Sequence, residues 1–243
     1  MTARRGRPFR AAGLAAIAAL LLAGIGAPAL AQVGASLSLA SDYRVRGLSL
    51  SNRKPAFSLN LSYDAASGVY FGAAAIGADT AHAGLQAIGY QAYVGYAAHT
   101  ASGPDWDIGV SNASFTEYFR RRYALTYSEV YAGLSKGDLS AHVYYSPDYL
   151  EEGVASLYLD VDGAVRPSAR WRLFGHAGVL TPLGAHGGAQ IRSPQFDLRA
   201  GVATTFRRCE FQLAWTHAGP NADYPAEHTQ VRDALVLSAT YNF

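Results

Sequence analysis

Apolar and polar residues alternate with a period of two along most of this chain. In residues 57–64, FSLNLSYD, every odd-numbered residue is apolar or aromatic and every even-numbered residue is polar. The final stretch, Leu235–Phe243, repeats the pattern with Val236 as its one exception. This is the period of a β-strand whose two faces meet different surroundings, and the period of an amphipathic helix is nearly absent. The pattern therefore predicts an all-β fold.

Twelve segments carry this alternation, and the links between them are alternately short and long. Tight links such as AASG and KGD alternate with longer ones such as PDYLEEG and TPLGAHGGAQIRSP. Strands that run up and down through a membrane give this pattern, with tight turns on the periplasmic side and long loops outside. The sequence predicts an antiparallel up-and-down transmembrane β-barrel of twelve strands. They lie near residues 34–45, 56–64, 69–77, 85–98, 105–115, 124–135, 139–146, 154–165, 171–180, 196–206, 210–218 and 232–243.

A soluble β-sandwich or a lipocalin-like barrel would show the same alternation with its apolar face turned inward. Two features favour the membrane barrel. The last strand is the most regular of all, which fits a closed barrel whose last strand pairs with the first and leaves no free edge. Aromatic residues also cluster near the segment ends, as in the girdle at a membrane interface. They are Tyr43, Tyr63, Trp106, Phe115, Tyr145, Trp171, Phe206 and Trp215.

The first 31 residues have the make-up of a secretory signal peptide. Four arginines within residues 4–10 precede the apolar run AAGLAAIAALLLAGIGA and a small-residue site that ends at Ala31. We expect cleavage after Ala31, which leaves residues 32–243 as a barrel in the bacterial outer membrane. A membrane anchor is the alternative, but no basic residues follow the apolar run to stop its transfer.

Charge and cysteine content narrow the classes of function. Removing the four arginines of the signal changes the formal net charge from +2 to −2, so we expect no nucleic-acid partner. Cys209 is the only cysteine, which excludes an internal disulfide and fits an exported chain. No two of the seven histidines are four residues apart, and no serine-containing nucleophile elbow is present. We therefore predict no metal site, no cofactor and no enzymatic activity.

The opening segment carries a Ser-Asp-Tyr-x-x-Arg-Gly-x-Ser motif from Ser41 to Ser49, followed by Lys54-Pro55-Ala56. Further motifs are GVYFG at residues 68–72, YSEVYAGL at 127–134 and YYSPDY at 144–149. With these motifs the chain resembles the TorF family (Gcw_chp), proteobacterial outer-membrane barrels described as porins. Arg44 stands where the family pattern favours an apolar or aromatic residue. The resemblance implies location and fold more directly than it implies transport.

Acidic side chains outnumber basic ones on the predicted inner face. The acids are Asp42, Asp64, Asp107, Glu129, Asp160, Asp162 and Asp197, and the bases are Arg44, Arg172, Arg199 and Arg232. Charged groups in a narrow channel select ions by sign. We therefore predict a porin-like channel for passive diffusion of small polar solutes or ions, with a weak cation preference set mainly by Glu129 and Asp160. The candidate pore-lining residues are Asp42, Arg46, Glu129, Tyr131, Asp160, Asp162, Arg172 and Arg199.

Two other functions stay open at this point. Twelve strands lie between the filled barrel of about eight and the open porin of about sixteen, so a plugged structural or interaction barrel is an alternative. A lipid-modifying enzyme would need a lipid-facing serine within reach of a histidine such as His217. Asp160 and Asp162, two apart on one face, are able to hold a cation, although such pairs are more often only solvated.

Three kinds of partner are expected beside the small polar solutes. Outer-membrane lipid should cover the apolar face. The basic cluster Arg120, Arg121 and Arg122 lies in a predicted outer loop, where lipopolysaccharide phosphates would offer bidentate partners. The terminal Phe243 resembles the C-terminal signal that the barrel-insertion machinery reads in outer-membrane proteins.

Overall fold

The structure is a computed structural model, and it describes residues 32–80, 84–101, 103–116, 124–149, 153–184, 193–219 and 231–243. The predicted signal peptide and the basic cluster Arg120–Arg122 lie outside the described residues. Among the described residues, no helix is long and apolar enough to cross a membrane.

Twelve antiparallel strands close into one barrel, as the alternation and the link lengths predict. Two further strands, β2 and β3, pair only with each other. The strands are β1 (Gln32–Ala40), β2 (Arg44–Val45), β3 (Leu48–Ser49), β4 (Ala56–Asp64), β5 (Val69–Thr80), β6 (Gly84–Ala98), β7 (Asp105–Thr116), β8 (Ala124–Lys136), β9 (Leu139–Ser146), β10 (Ala155–Val165), β11 (Trp171–Leu183), β12 (Gln195–Phe206), β13 (Cys209–Ala218) and β14 (Asp233–Asn242).

The last strand closes the barrel against the first. Leu37 of β1 pairs with Tyr241 of β14, and the Phe243 N–H donates to the Ala35 carbonyl at 3.0 Å. β1 pairs on its other side with β4, with Ala40 directly opposite Ala56. Every barrel strand therefore has a partner on both sides, so the sheet offers no open edge to lipid. One irregularity interrupts the ladder of β5 and β6, between Ile76 and Gly77.

The large apolar side chains of the alternating pattern point away from the lumen. Leu159, Leu213 and Leu237 are 52%, 47% and 61% exposed on the outer surface. Exposed apolar surface of this extent is unfavourable in water and is suited to lipid. A sandwich or a lipocalin-like barrel would bury this face, so the described structure excludes both alternatives.

The predicted aromatic girdle is correct in part. Trp106 and Trp171 lie on the outer surface at the short-turn end, and Trp215 lies on it toward the long-loop end. Tyr43 and Phe115 do not belong to the girdle, because both rings pack inside the barrel with their centroids 6.3 Å apart. Phe115 occupies one of the inward-facing alternate positions of its strand. The girdle was predicted from position near a strand end, which does not distinguish the inner face from the outer face.

The first predicted strand is too long. It was expected to run to residue 45, but β1 ends at Ala40 and the chain then turns into the barrel. Residues 41–55, here called the inner hairpin, contain β2 and β3 and return to the wall at Ala56. The link between the first two predicted strands, RGLSLSNRKP at residues 46–55, was expected as one of the long outer loops, but it is largely a segment of the barrel interior.

The direction of the side chains on β14 gives a direct test of the membrane orientation. Leu237 faces outward near the middle of the strand, whereas Ser238 lines the interior cavity. Leu237→Arg should lower the free energy of unfolding by about 2–4 kcal/mol, because it places a charge in lipid. Ser238→Arg projects into a polar space and should cost much less. Urea unfolding in liposomes measures both, and equal losses would reject this orientation.

Candidate functional site

The inner hairpin turns back on itself through two residues in the left-handed backbone region. Arg46 has φ 48° and Gly47 has φ 77°, between the paired strands β2 and β3. Positive φ at both central residues is typical of the type I′ hairpin turn. Glycine adopts it freely, but at Arg46 it costs about 1–2 kcal/mol. Other contacts must therefore hold Arg46 in this position.

Asp42 organises the base of the inner hairpin. Its carboxylate accepts hydrogen bonds from Arg44 Nε at 2.6 Å, Ser49 Oγ at 2.5 Å and Ser51 Oγ at 3.1 Å. The Asp42 side chain is only 5% exposed, and three donors satisfy a charge that would otherwise be costly to bury. The motif from Ser41 to Ser49 that carries the family resemblance thus contains both Asp42 and one of its hydrogen-bond donors, Ser49.

The hairpin crosses the lumen from one wall to another. A Cβ on Gly47 would lie 2.9 Å from the Asp197 Cβ and 3.0 Å from the Ala218 Cβ, so the turn packs directly on β12 and β13. Arg46 reaches the other way and donates through Nη2 to both carboxylate oxygens of Glu129 on β8, at 2.7 and 2.9 Å. Glycine at position 47 is required both by its φ angle and by this close approach.

Four tyrosines surround the Arg46 guanidinium, and we call them the tyrosine cluster. The Cζ of Arg46 lies 4.0 Å from the ring centre of Tyr158, 5.0 Å from that of Tyr149, and 5.7 Å from those of Tyr127 and Tyr144. Aromatic faces attract a cation, by about 0.5–2 kcal/mol each depending on desolvation. The cluster and Glu129 together compensate the burial of a side chain that is 11% exposed.

The charge of Arg46 is secured by these neighbours. A guanidinium keeps its proton in proteins, and the Glu129 carboxylate supplies the counter-charge inside the barrel. Arg46 and Glu129 therefore form a buried ion pair between the hairpin and the wall.

The long-loop half of the barrel interior has an apolar core. The buried residues of this core are Ala56, Ile76, Ala78, Ile88, Ala113, Phe115, Tyr127, Tyr149, Tyr158 and Leu180. Tyr43, Val45 and Leu50 of the inner hairpin pack against them. The inner hairpin is thus part of a packed core inside the barrel.

The short-turn half of the interior contains a polar cavity of about 1260 Å³, here called the chamber. Its lining extends from Gln32 and Asn242 at the short-turn rim to residues 42–47 of the inner hairpin. Strand alternation explains its chemistry, because most of the inward set of β7 to β12 here is acidic, histidine or tyrosine, and Ser111 and Arg199 are further members.

Two hydrogen-bonded groups occupy the chamber wall. In the first, the Tyr70 hydroxyl donates to Asp107 at 2.7 Å and lies 2.8 Å from the Tyr131 hydroxyl, and His142 lies 3.4 Å from Asp107. The second group is centred on His176 of β11. Its Nδ1 lies 3.0 Å from Asp162 and its Nε2 lies 3.0 Å from Asp197.

A family model described as a bacterial protein of unknown function (Gcw_chp) matches residues 25–241. The chain belongs to this family. A comparison with curated protein sequences gave no match. The family assignment agrees with the resemblance carried by the opening motif, and it assigns no activity to the Gcw_chp barrel.

Solved structures with a similar fold are outer-membrane barrels. The NanC porin superimposes with a TM-score of 0.56 at 8% identity, over 85% of this chain and 98% of that one. A membrane protein crystallised in meso gives a TM-score of 0.53 at 9% identity, over 87% and 83%. LpxR from Salmonella typhimurium gives 0.40 at 9% identity, over 86% and 99%. At these identities the likeness concerns the fold of the Gcw_chp barrel alone.

The predicted site residues fall into three places in the Gcw_chp barrel. Asp42, Arg46 and Glu129 hold the inner hairpin. Tyr131, Asp160, Asp162 and Arg199 line the chamber. Arg172 pairs with both oxygens of Glu210 at 3.0 Å, and Arg44 of the hairpin reaches the carbonyls of Gly47 and Val231. The expectation that Glu129 sets ion preference needs correction, because Arg46 neutralises its charge.

The tyrosine cluster was not among the predicted site residues. The alternation of β8, β9 and β10 does place Tyr127, Tyr144 and Tyr158 on the inner face. Tyr149 follows β9 in a loop, where no periodicity applies, yet its side chain is 2% exposed inside the barrel. The convergence of these rings depends on the inward fold of residues 41–55.

His217 was the histidine on which the enzyme alternative depended. It faces outward at the long-loop end of β13, where its Nδ1 lies 2.9 Å from Asp233 and its ring packs with Trp215 and Phe196. In the described part of the chain, no serine is hydrogen-bonded to His217. The described contacts at His217 do not supply the serine that this alternative requires.

Breaking the Arg46–Glu129 pair should lower the free energy of unfolding far more than breaking an exposed pair of the same kind. Glu129→Gln leaves a buried guanidinium without its counter-charge and should lower the free energy of unfolding by about 3–5 kcal/mol. Glu210→Gln is the matched control, because the Arg172–Glu210 pair is bidentate but 29% and 25% exposed. It should cost at most about 1 kcal/mol. Urea unfolding measures both.

The double variant Arg46→Met with Glu129→Met separates pairing from packing. It removes both charges, so it should recover most of the stability lost in Glu129→Gln. A Glu129→Gln barrel as stable as the Glu210→Gln barrel would contradict a buried, unscreened pair.

Proposed function

We propose that this protein is a narrow outer-membrane channel for passive diffusion of small polar solutes or ions, closed in the present state by the inner hairpin. The observation that carries the proposal is a polar chamber that reaches the short-turn rim and ends at a hairpin with no strand pairing to the wall. In bacterial outer-membrane barrels the short turns face the periplasm. The chamber would then open toward the periplasm, and the hairpin would form the outer gate.

The inner hairpin is attached in a way that permits movement. Its backbone ladder is internal. Among the described residues, backbone hydrogen bonds join it to the barrel only at its ends, from the Ser41 N–H to the Leu237 carbonyl and from the Asp79 N–H to the Pro55 carbonyl. The rest is held by side-chain contacts, chiefly Arg46 with Glu129. Withdrawal of the hairpin would therefore leave the twelve-stranded ladder intact.

The charges of the chamber favour cations once the gate opens. Asp107, Asp160, Asp162 and Asp197 line it. Of the arginines in the same lining, Arg44 and Arg46 pair with Asp42 and Glu129, which leaves Arg199 as the opposing base. Fixed charges of one sign in a narrow water-filled channel attract ions of the other sign. Glu129 adds to this preference only when Arg46 has left it.

A plugged structural barrel is the second candidate, and the packed apolar core in the long-loop half favours it. Displacing the inner hairpin would expose Leu48, which is 4% exposed, and would unpack Tyr43, Val45 and Leu50 from that core. Burial of this kind can make a closure permanent. The two candidates differ in one respect, which is whether the hairpin ever leaves the lumen.

Outer-membrane lipid is the proposed partner of the exposed apolar belt, and the barrel fold together with this belt supports an outer-membrane location. Phe243 is 67% exposed at the short-turn end, beside the Tyr241 ring. Its recognition by the insertion machinery stays a prediction.

Removal of the inner hairpin should open the channel. Ala40 and Ala56 are directly paired, so a two-residue Asn-Gly turn can replace residues 41–55 without changing the register. In planar bilayers this variant should conduct steadily, whereas the wild type should show rare openings or none. Lys54→Ala is the control, because it removes an exposed charge of the same segment and should behave as wild type. A hairpin-deleted barrel that folds and does not conduct would reject the channel.

Ion selectivity of the hairpin-deleted barrel tests the charge assignment. In a salt gradient we expect a zero-current potential whose sign indicates a preference for cations. Asp107→Asn combined with Asp160→Asn should shift this potential toward anions, because it removes two carboxylates from the chamber wall. Glu210→Gln with Arg172→Gln removes a neutral pair and serves as the control. An anion-selective parent barrel would contradict the assignment.

A further inference from the structure

Three side chains on adjacent strands of the chamber wall converge on one point. Asp160 and Asp162 project inward from β10, and His176 projects inward from β11 directly opposite Asp162. One ligand atom from each lies within 4.8 Å of the other two. The Asp162 Oδ1 and the His176 Nδ1 are 3.0 Å apart. Ligands of a tetrahedral zinc ion, each about 2.0–2.1 Å from the metal, lie about 3.3 Å apart, so this spacing needs little adjustment.

Asp160 carries an independent sign of a missing partner. Its side chain is about nine-tenths buried, with 8% of the residue exposed, and its Oδ1 has no hydrogen-bond donor in the described structure. In the described structure its ionic partner is His142, whose Nδ1 lies 3.7 Å from this oxygen, too far for a hydrogen bond. A buried carboxylate oxygen without a donor is costly, so a bound cation would remove this cost.

His176 is already oriented as a metal ligand. Its Nε2 lies 3.0 Å from Asp197, a carboxylate that is 5% exposed and also accepts from the Tyr158 hydroxyl at 3.2 Å. Histidines that bind metals commonly donate their second ring N–H to a carboxylate, which fixes the ring and its tautomer. In the ion-free structure both ring nitrogens face carboxylates, so Nδ1–H donates to Asp162 as Nε2–H donates to Asp197. A metal ion would displace the Nδ1 proton and bind that nitrogen, while Nε2–H stays on Asp197.

We propose that Asp160, Asp162 and His176 bind one divalent transition-metal cation in the chamber, with Asp197 as the positioning residue for His176. Two carboxylates supply the compensating negative charge, and the imidazole favours zinc-like ions over Ca²⁺ and Mg²⁺, which take oxygen ligands. The chamber reaches the short-turn rim, so the ion has a path that does not require the inner hairpin to move. The site is therefore independent of the channel proposal.

Titration of the refolded, untagged full-length barrel with Zn²⁺ tests the site, after chelator treatment. The background carries Cys209→Ser, which removes the one thiol ligand in the chain. We expect one ion per barrel, with Ca²⁺ bound more weakly. The Co²⁺-loaded barrel should absorb visible light with the intensity of a site that has a low coordination number and includes a nitrogen ligand. Asp162→Asn should weaken Zn²⁺ binding at least about tenfold, and Asp197→Asn should weaken it by about 10–100-fold through the orientation of His176.

The matched control is Asp107→Asn, which removes a carboxylate from the same chamber without touching the three ligands. It should leave Zn²⁺ affinity within about threefold, because Asp107 reaches the ligand Asp160 only indirectly, through His142 at 3.4 and 3.7 Å. Heat-dependent gel mobility confirms folding, and Asp160→Asn replaces Asp162→Asn if the latter does not fold. Equal weakening by Asp107→Asn and Asp162→Asn would indicate diffuse attraction and overturn the site. Wild-type affinity no tighter than that of the ligand variants would overturn it too.

Discussion

The absence of water in the bilayer core is the constraint on which the rest of this structure depends. Backbone N–H and C=O groups in lipid must pair within the protein, and a closed sheet does this with no edge left over. Closure assigns one face of every strand to lipid and the other to the lumen. The apolar set, such as Leu159 and Leu237, therefore faces outward, and the acids, histidines and tyrosines are brought together inside a space of limited width.

The inner hairpin divides that space into two different environments. On its long-loop side the interior is a packed apolar core, and on its short-turn side it is a polar chamber. The buried pair of Arg46 and Glu129 lies at this division, with the tyrosine cluster around the guanidinium. Arg46, which is in the left-handed region at the turn, thus connects a local turn geometry to closure of the lumen.

Most of the barrel could be predicted from sequence because its cause is periodic. Alternation and link length gave the strand number, the inward parity and the closing pair of β1 and β14. The inner hairpin could not be predicted in this way, since in the described structure residues 42–54 pair with no barrel strand and their position depends on distant contacts, such as Gly47 against Asp197. Asp42 and Arg46 were selected by motif, but their pairing with Arg44 and Glu129 required the fold.

The central claim is that the hairpin lies inside the barrel, and cysteine accessibility in native membranes tests it most directly. In a Cys209→Ser background, Leu48→Cys places a thiol at a position that is 4% exposed and outside the chamber lining, whereas Lys54→Cys places one at an exposed position of the same segment. The account predicts that a polar maleimide added to either side labels position 54 rapidly and position 48 very slowly. Equal labelling rates at the two positions would place the segment in open solvent and contradict the account.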